Sequence, residues 1–422
     1  MAVRNRILLI AALAAALPSH LAAQAPPPKD TSLAARLDRA ERMIELLRQQ
    51  VADQAKARVE PRQGNKVELS GVVLLNGFFN NAKVNSLDNP TFVQAPDPPG
   101  FLPNSALGGT ARQSEITLTA IAPKVLGAAF TGELDMDFYG GQQNFARLFP
   151  LLHLKRTRAE LRWPHAWVAF GEDAPPVSSV NPSSFSGRSI PEFTNAGNLW
   201  LWIPQLRLGA DAGGEIRLGV EASALAPVSL EAATTFNPDA SRAERSRRPA
   251  AEARVLVTWD RAQSTGEVSI GGHYGWLATT VIDSLLVSRA AAASARFTVT
   301  QYVEIRAEGF VGQALAGLGG GGIGQNLSPA DKPVRTRGGW GQLNILPTPE
   351  WELGGGYGFD DPNDADLDVN TGRLKNVMIE GHIHWKPGPV VFALELRRVQ
   401  TTYRTLGTLF VHHFNLGMGF RF

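Results

Sequence analysis

Apolar and polar residues alternate with a period of two through most of the chain after residue 66. In the last nine residues, Phe414, Leu416, Met418, Phe420 and Phe422 are apolar, and the residues between them are small or polar. This period places the two sets on opposite faces of a strand. An apolar face that runs to a terminal aromatic residue is typical of the closing strand of an outer-membrane barrel, because that face meets lipid. The alternative is an amphipathic last strand in a soluble sandwich.

The same alternation predicts sixteen strands. They cover residues 67–80, 111–122, 127–139, 152–163, 166–173, 199–209, 214–226, 250–260, 266–277, 284–299, 302–314, 333–346, 351–360, 373–386, 389–403 and 407–422. Short turns, such as 122–124, 211–214 and 347–349, alternate with mostly longer loops. Transmembrane barrels place short turns in the periplasm and long loops outside, whereas a soluble protein has no reason for this alternation. We therefore predict an all-β transmembrane barrel of about sixteen antiparallel strands.

The segment before the barrel carries two other patterns. Residues 1–23 form a predicted signal peptide, because Arg4 and Arg6 precede an apolar run and small residues follow it. Residues 24–60 contain a Pro-rich spacer and then a helix with a heptad seam, which predicts a short periplasmic coiled coil. A helix that packs on the barrel or plugs its mouth is the alternative. Residues 61–66 are a linker, and 67–422 form the barrel domain.

Composition excludes several classes of protein. Hydrophobic residues make up 44% of the chain, yet no run of 18 uncharged apolar residues follows the signal peptide, which excludes a helical membrane protein. The 41 basic and 39 acidic residues nearly cancel, so we expect no nucleic-acid partner. The chain has no Cys and no recognisable nucleophile motif. We therefore expect neither an enzyme nor a cofactor.

Charged residues within the predicted strands indicate where the lumen lies. A Lys or Arg that faces lipid near the midplane costs about 2–4 kcal/mol, so the charged face must point inward. The candidate pore-lining residues are Arg156, Arg158, Arg162, Arg207, Arg217, Glu133, Asp135, Asp137 and Arg188. The same rule sends inward Glu160, Gln205, Glu215, Glu221, Glu252, Arg254, Arg296, Glu304, Arg306, Glu308, Arg335, Arg337, Glu380, His382, His384, Glu395 and Arg397. A lumen this polar holds water, which predicts passive diffusion of small hydrophilic solutes.

The arginines predict the charge preference of the channel. Arg156, Arg158 and Arg162 lie on one predicted strand, and guanidinium groups bind carboxylate and phosphate bidentately, so we expect anions to be favoured. The acidic row Glu133, Asp135 and Asp137 lies on the adjacent strand. Together the two rows either make a transverse field across the pore or neutralise each other on the wall.

Two further features remain as hypotheses. The Ser- and Pro-rich loop 174–198, with Arg188 and Glu192, is predicted to fold inward as a constriction, or else to pack on a neighbouring protomer. His382 and His384 share one strand face and could join Glu380 at a metal, but we interpret them as ordinary lining of a hydrated lumen. No metal site is therefore expected from the sequence.

Several short motifs, in their order along the chain, resemble those of DcaP-like outer-membrane porins. They are residues 132–138, 158–163, 204–208 and 358–362, together with Gly171 and the predicted coiled-coil leader. The resemblance implies a homotrimeric channel with a periplasmic N-terminal helix that takes up small anions such as dicarboxylates. The chain is more distantly similar to phosphate-selective porins, but it lacks their lysine-rich constriction.

A porin of this type implies further partners. We expect a bacterial outer-membrane location, contact with membrane lipid and lipopolysaccharide, and recognition by the barrel-assembly machinery through the strand that ends at Phe422. Two alternatives differ in class: a tether that acts through the N-terminal helix with the barrel as its anchor, and an outer-membrane enzyme.

Overall fold

The computed structural model describes residues 65–140, 150–229, 240–262, 264–280 and 284–422. The strands are β1 (Lys66–Asn80), β2 (Ala106–Thr110), β3 (Glu115–Val125), β4 (Ala128–Asp137), β5 (His153–Arg162), β6 (Ala166–Asp173), β7 (Ile203–Gly213), β8 (Ile216–Leu225), β9 (Ala250–Arg261), β10 (Ser264–Ala278), β11 (Leu285–Thr300), β12 (Val303–Gln313), β13 (Arg335–Thr348), β14 (Trp351–Pro362), β15 (Arg373–Trp385), β16 (Val390–Tyr403) and β17 (Gly407–Arg421). A short α-helix, Arg242–Arg245, and 3₁₀ turns at Pro176–Ser178, Ala316–Leu318, Gly322–Gly324 and Asp364–Asp366 lie in the connections. The predicted signal peptide and coiled-coil helix lie outside the described residues. In the described ranges, no helix is both long and apolar enough to cross a membrane.

The strands form one closed antiparallel barrel. From β3 onward each strand pairs with the next strand in the chain, and β17 closes the barrel on β1, with Val72 opposite Arg421 and Asn80 opposite His413. The short β2 pairs with the second half of β1 and β3 pairs with its first half, so together they make one interrupted barrel strand. The barrel therefore has sixteen strands, as the alternation predicts.

Most strand boundaries agree with the prediction to within a few residues, and the first hairpin shows why some do not. The predicted turn at 122–124 lies within β3, and the turn falls instead at Leu126 and Gly127. Both residues have positive φ, 51° and 77°. Two such residues make the tight turn that matches the twist of paired strands, and Gly127 permits it at no steric cost. Gly127, rather than Pro123, therefore marks the position of this turn in the sequence.

The faces of the strands follow the predicted alternation. On β17, Phe414, Leu416 and Met418 are exposed on the outer surface, whereas His413 and Asn415 are buried inside. Aromatic rings gather outside the barrel near its short-turn end, where Trp385 stacks on both Trp351 and Phe392. This arrangement is typical of the aromatic girdle at a membrane interface.

Part of the barrel interior is filled by long connections. Val84 and Val93, from the connection after β1, pack with Phe193 against inward-facing side chains of β13 and β15. Phe193 stacks on Trp340 with their ring centroids 5.6 Å apart. The interior therefore has an apolar core on the side of β12–β17, which narrows the space left for water.

Candidate functional site

The connection between β6 and β7, residues 174–202, lies inside the barrel, and we call it the pore loop. Its backbone amides donate to carboxylates on distant parts of the wall. Val177 N lies 3.1 Å from Glu252 Oε2 of β9, and Phe185 N lies 2.6 Å from Glu395 Oε1 of β16. The loop therefore spans the lumen between these strands, as the predicted inward fold requires.

Arg397 of β16 anchors the pore loop to the wall. Its Nε donates to Glu192 Oε1 of the loop at 2.7 Å, and its other nitrogens donate to Ser186 and to Asn89. The guanidinium is fully buried, and so are the Glu192 and Glu395 carboxylates beside it. Because Asn89 belongs to the connection after β1, this one side chain holds two loops inside the barrel.

Three of the predicted arginines gather around Trp167 of β6. The guanidinium carbons of Arg158, Arg162 and Arg207 lie 5.2, 5.5 and 5.6 Å from the centroid of its ring. Guanidinium groups at this distance from an indole gain a cation–π attraction. The sequence analysis missed Trp167, although the outward Val168 and Phe170 beside it imply that the tryptophan points inward.

The arginines on this wall are paired with carboxylates. Arg156 pairs with Glu133 and lies 3.7 Å from Asp173, which also accepts from Arg158. Arg162 lies 2.7 Å from Glu160. Further ion pairs are those of Arg158 with Glu160, of Arg207 and Arg254 with a shared Glu221, of Arg254 with Glu267, of Arg162 with Asp211, and of Arg188 with Glu115. Arg217 is the exception, because it donates to the backbone carbonyl of Gly214. This pairing corresponds to the predicted alternative in which the basic and acidic rows neutralise each other on the wall.

In the acidic row on β4, Asp135 and Asp137 are buried, Glu133 is partly buried, and all three are paired. Asp135 accepts from Thr117 at 3.1 Å and lies 3.6 Å from Lys155, and Asp137 lies 3.0 Å from His153. Lys155 was not among the candidates. A β-bulge at this residue, where Asp135 pairs with Arg156 but Met136 pairs with Leu154, turns Lys155 inward next to Arg156. Simple alternation cannot reveal such an inserted residue.

In many of these ion pairs, the cation is more exposed than the anion. Arg162 is 45% exposed and Glu160 is 15% exposed, and the corresponding values for Arg188 and Glu115 are 31% and 7%. The pair of Arg254 with Glu267 shows the opposite order, because the arginine side chain is 6% exposed and the glutamate side chain is 29% exposed. The guanidinium groups therefore line much of the water-filled space, while the carboxylates lie deeper in the wall.

Arg335 and Arg337 do not face the lumen, so that part of the prediction was wrong. The inward side of β13 carries Thr336, and the two arginines point outward at the long-loop end of the strand. There Arg337 lies 2.8 Å from Asp361, and Arg335 lies 2.6 Å from Asp366, whose pKa its hydrogen bond holds below the usual range. The prediction rested on the free-energy cost of an arginine that faces lipid at the membrane midplane, and this cost becomes small near the interface.

Glu215 is the other exception to the predicted inward set. It lies in the turn between β7 and β8 rather than on a strand face, and its side chain is largely exposed. The strand was predicted to begin at residue 214, but β8 begins at Ile216.

Comparison with known proteins identifies the fold. No family model and no curated protein matches the sequence. Among solved structures, the outer-membrane channel DcaP of Acinetobacter baumannii is similar at a TM-score of 0.65 and 16% identity, over 86% of this chain and 99% of that one. The anion-selective porin of Comamonas acidovorans is similar at 0.55 and 13%, over 85% and 100%. The trimer form of OmpT from Vibrio cholerae is similar at 0.52 and 9%, over 85% and 100%.

These identities are low, so the likeness establishes the fold, which is that of bacterial porins. The predicted resemblance to DcaP-like porins is confirmed at that level. The barrel class and the strand number predicted from the alternation agree with it.

Proposed function

We propose that the protein is a bacterial outer-membrane porin that gives passive diffusion to small hydrophilic solutes, with a preference for anions such as dicarboxylates. The observation that carries this proposal is the exposure of the guanidinium groups to the lumen. In the pairs of Arg162 with Glu160 and of Arg188 with Glu115, the arginine is more exposed than the carboxylate. A charged group that touches the water path acts on a passing ion more strongly than a recessed one, because the Coulomb energy falls with distance.

The row of arginines suggests how an anion passes the pore loop. Arg156, Arg158 and Arg162 occur on β5 with side chains 35%, 23% and 45% exposed, so a carboxylate can move from one guanidinium to the next. Each guanidinium already has a carboxylate partner in the wall, which weakens its hold on a solute. Conduction needs binding sites that are attractive enough to enter and weak enough to leave.

The structural neighbours agree with this proposal. One of them is described as an anion-selective porin and another as an outer-membrane channel. The location in the outer membrane follows from the same likeness. Contact with lipid and lipopolysaccharide, and recognition of the strand ending at Phe422 by the barrel-assembly machinery, are expected consequences of that location.

Uptake of three solutes with equal carbon chains tests the proposed preference. We expect proteoliposomes with the refolded protein to take up succinate faster than the neutral polyol erythritol, and erythritol faster than the diamine putrescine. The exposed guanidinium groups attract the dianion and repel the dication, so raising the salt concentration should narrow the differences. Protein-free liposomes give the background. Equal or faster entry of putrescine relative to succinate contradicts the anion preference.

We also propose that the chain assembles as a homotrimer, with the predicted coiled-coil helix of residues 24–60 on the periplasmic side. OmpT of Vibrio cholerae, which has the same fold, is described in a trimer form. Light scattering of the folded protein in detergent should give the mass of three protomers after the micelle is subtracted. Deleting residues 24–60 should lower the temperature at which the trimer dissociates, because the helical seam is lost. A single-protomer mass for the folded full-length barrel contradicts this assembly.

A further inference from the structure

A separate cluster lies where β14 and β15 pair. His382 and His384 are two residues apart on β15, and Glu352 of β14 lies directly opposite His384. The three residues are 4%, 1% and 7% exposed. From the sequence we expected ordinary lining of a hydrated lumen, with Glu380 as the possible third ligand. The pairing of the strands adds Glu352, which a long loop separates from the histidines in the sequence.

The distances within this cluster fit metal ligands better than hydrogen bonds. One ring nitrogen of His382, one of His384 and a Glu352 carboxylate oxygen all lie within 4.8 Å of one another. Glu352 Oε1 is 3.4 Å from His382 Nε2 and 3.7 Å from His384 Nδ1, and among the described residues neither nitrogen has a hydrogen-bond partner. Hydrogen bonds are about 2.7–3.2 Å long, whereas a tetrahedral metal with bonds of about 2.0–2.2 Å holds its ligand atoms roughly 3.3–3.6 Å apart.

A second layer of carboxylates orients both histidines. His382 Nδ1 lies 3.2 Å from Glu380 Oε2, and His384 Nε2 lies 2.9 Å from Glu395 Oε1. A carboxylate on the far nitrogen of an imidazole keeps the proton there and leaves the lone pair on the near nitrogen. The two rings stack at 17° with their centroids 4.3 Å apart, so a rotation of one ring is needed to bring both lone pairs to one ion beside Glu352. This carboxylate–histidine arrangement accompanies most histidine-bound metals.

The charge balance of the cluster calls for a cation. Four buried carboxylates belong to it, those of Glu192, Glu352, Glu380 and Glu395. Two permanent cations face them, because Lys386 lies 2.8 Å from Glu352 and Arg397 lies 2.7 Å from Glu192. With neutral histidines, two negative charges remain uncompensated in a buried region, which is costly. One divalent cation removes that excess, and so does protonation of both histidines; zinc retention distinguishes the two.

We propose that Glu352, His382 and His384 bind a divalent transition-metal ion, for which zinc is the best fit. Two imidazoles and one carboxylate are a usual zinc set, and they leave the fourth position for water. Glu352 also lines a cavity of about 440 Å³ with Arg188 and Lys386. Ser183 of the pore loop donates to Glu352, so the bound ion stabilises the attachment of that loop.

Zinc retention by untagged protein tests the proposal independently of channel activity. Refolded protein is stripped with EDTA, loaded with Zn²⁺, desalted and measured by plasma mass spectrometry. We expect one zinc per protomer, and its loss in the His382→Gln/His384→Gln double variant. The control variant His165→Gln removes an exposed histidine in a turn and should keep the zinc. Cobalt in place of zinc should give the strong visible absorption of a four-coordinate site.

A milder variant keeps the test decisive if the double variant does not fold. Glu380→Gln leaves all three ligands in place and removes only one outer carboxylate, so it should weaken zinc binding about 10–100-fold in calorimetry. Heat-modifiable migration in gels establishes that each barrel is folded. Wild-type protein that retains no more zinc than the double variant, or a Glu380→Gln variant with unchanged affinity, overturns the proposal.

Discussion

Replacing Arg397 with methionine is expected to release the pore loop from the wall. The substitution keeps an unbranched apolar side chain at this position and removes the guanidinium with its bonds to Glu192, Ser186 and Asn89. It leaves Glu192 and Glu395 buried without their cation, and removing one partner of a buried ion pair costs about 3–5 kcal/mol. Part of that cost is relieved when the loop moves into water. The unfolding free energy should fall, and the conductance of a single channel should rise and become noisier.

Trypsin cleavage reports the position of the loop directly. Arg188 is the only basic residue between 174 and 202, and in the native protein its side chain is paired with Glu115. We expect the Arg397→Met variant to be cut after Arg188 and the wild type to resist. Arg398→Met is the matched control, because Arg398 is the next residue on β16 but points outward. Equal resistance of Arg397→Met and wild type would contradict the anchoring role.

Neutralising Arg156, Arg158 and Arg162 together is expected to switch the channel from anion to cation preference. The triple glutamine variant removes three positive charges and leaves their partners Glu133, Glu160 and Asp173 facing water. Rings of side-chain charge set the selectivity of such pores. The pairs of Arg156 with Glu133 and of Arg162 with Glu160 are partly exposed, and such pairs contribute about 0–1 kcal/mol each. Asp173 is buried and loses Arg158, so heat-modifiable migration in gels must first establish that the variant folds. The zero-current potential in a KCl gradient should change sign.

The outward arginines provide the control for this experiment. Arg335→Gln/Arg337→Gln also removes positive charge from the barrel, but from its outer surface at the long-loop end. The lumen is unchanged, so the zero-current potential should remain that of the wild type. A triple variant with the same potential as this control contradicts the assignment of selectivity to the arginines of β5.

The barrel could be predicted from the sequence because its signals are local. Apolar and polar residues must alternate along a strand that separates lipid from water, as they do from Phe414 to Phe422. The lengths of the turns distinguish the periplasmic end of the barrel from the outer end. Most inward charges follow from the same rule. It failed for Arg335 and Arg337 because it applies near the midplane and not at the rim.

Features that depend on strand register or on loop packing could not be predicted. The bulge at Lys155 shifts one residue without any mark in the composition. Glu352 meets His384 only through the pairing of two strands joined by a long loop. The pairing of Arg397 with Glu192 joins residues 205 positions apart, and it depends on a loop path that no local pattern encodes.

The zero-current potential of wild-type channels in a planar bilayer tests the central claim most directly. Folded, untagged protein is recorded with concentrated KCl on one side and dilute KCl on the other. The exposed guanidinium groups predict a potential with the sign of chloride permeation, which collapses toward zero as the salt on both sides is raised. A potential with the sign of potassium permeation, or no conductance from barrels of verified fold, would contradict an anion-preferring porin.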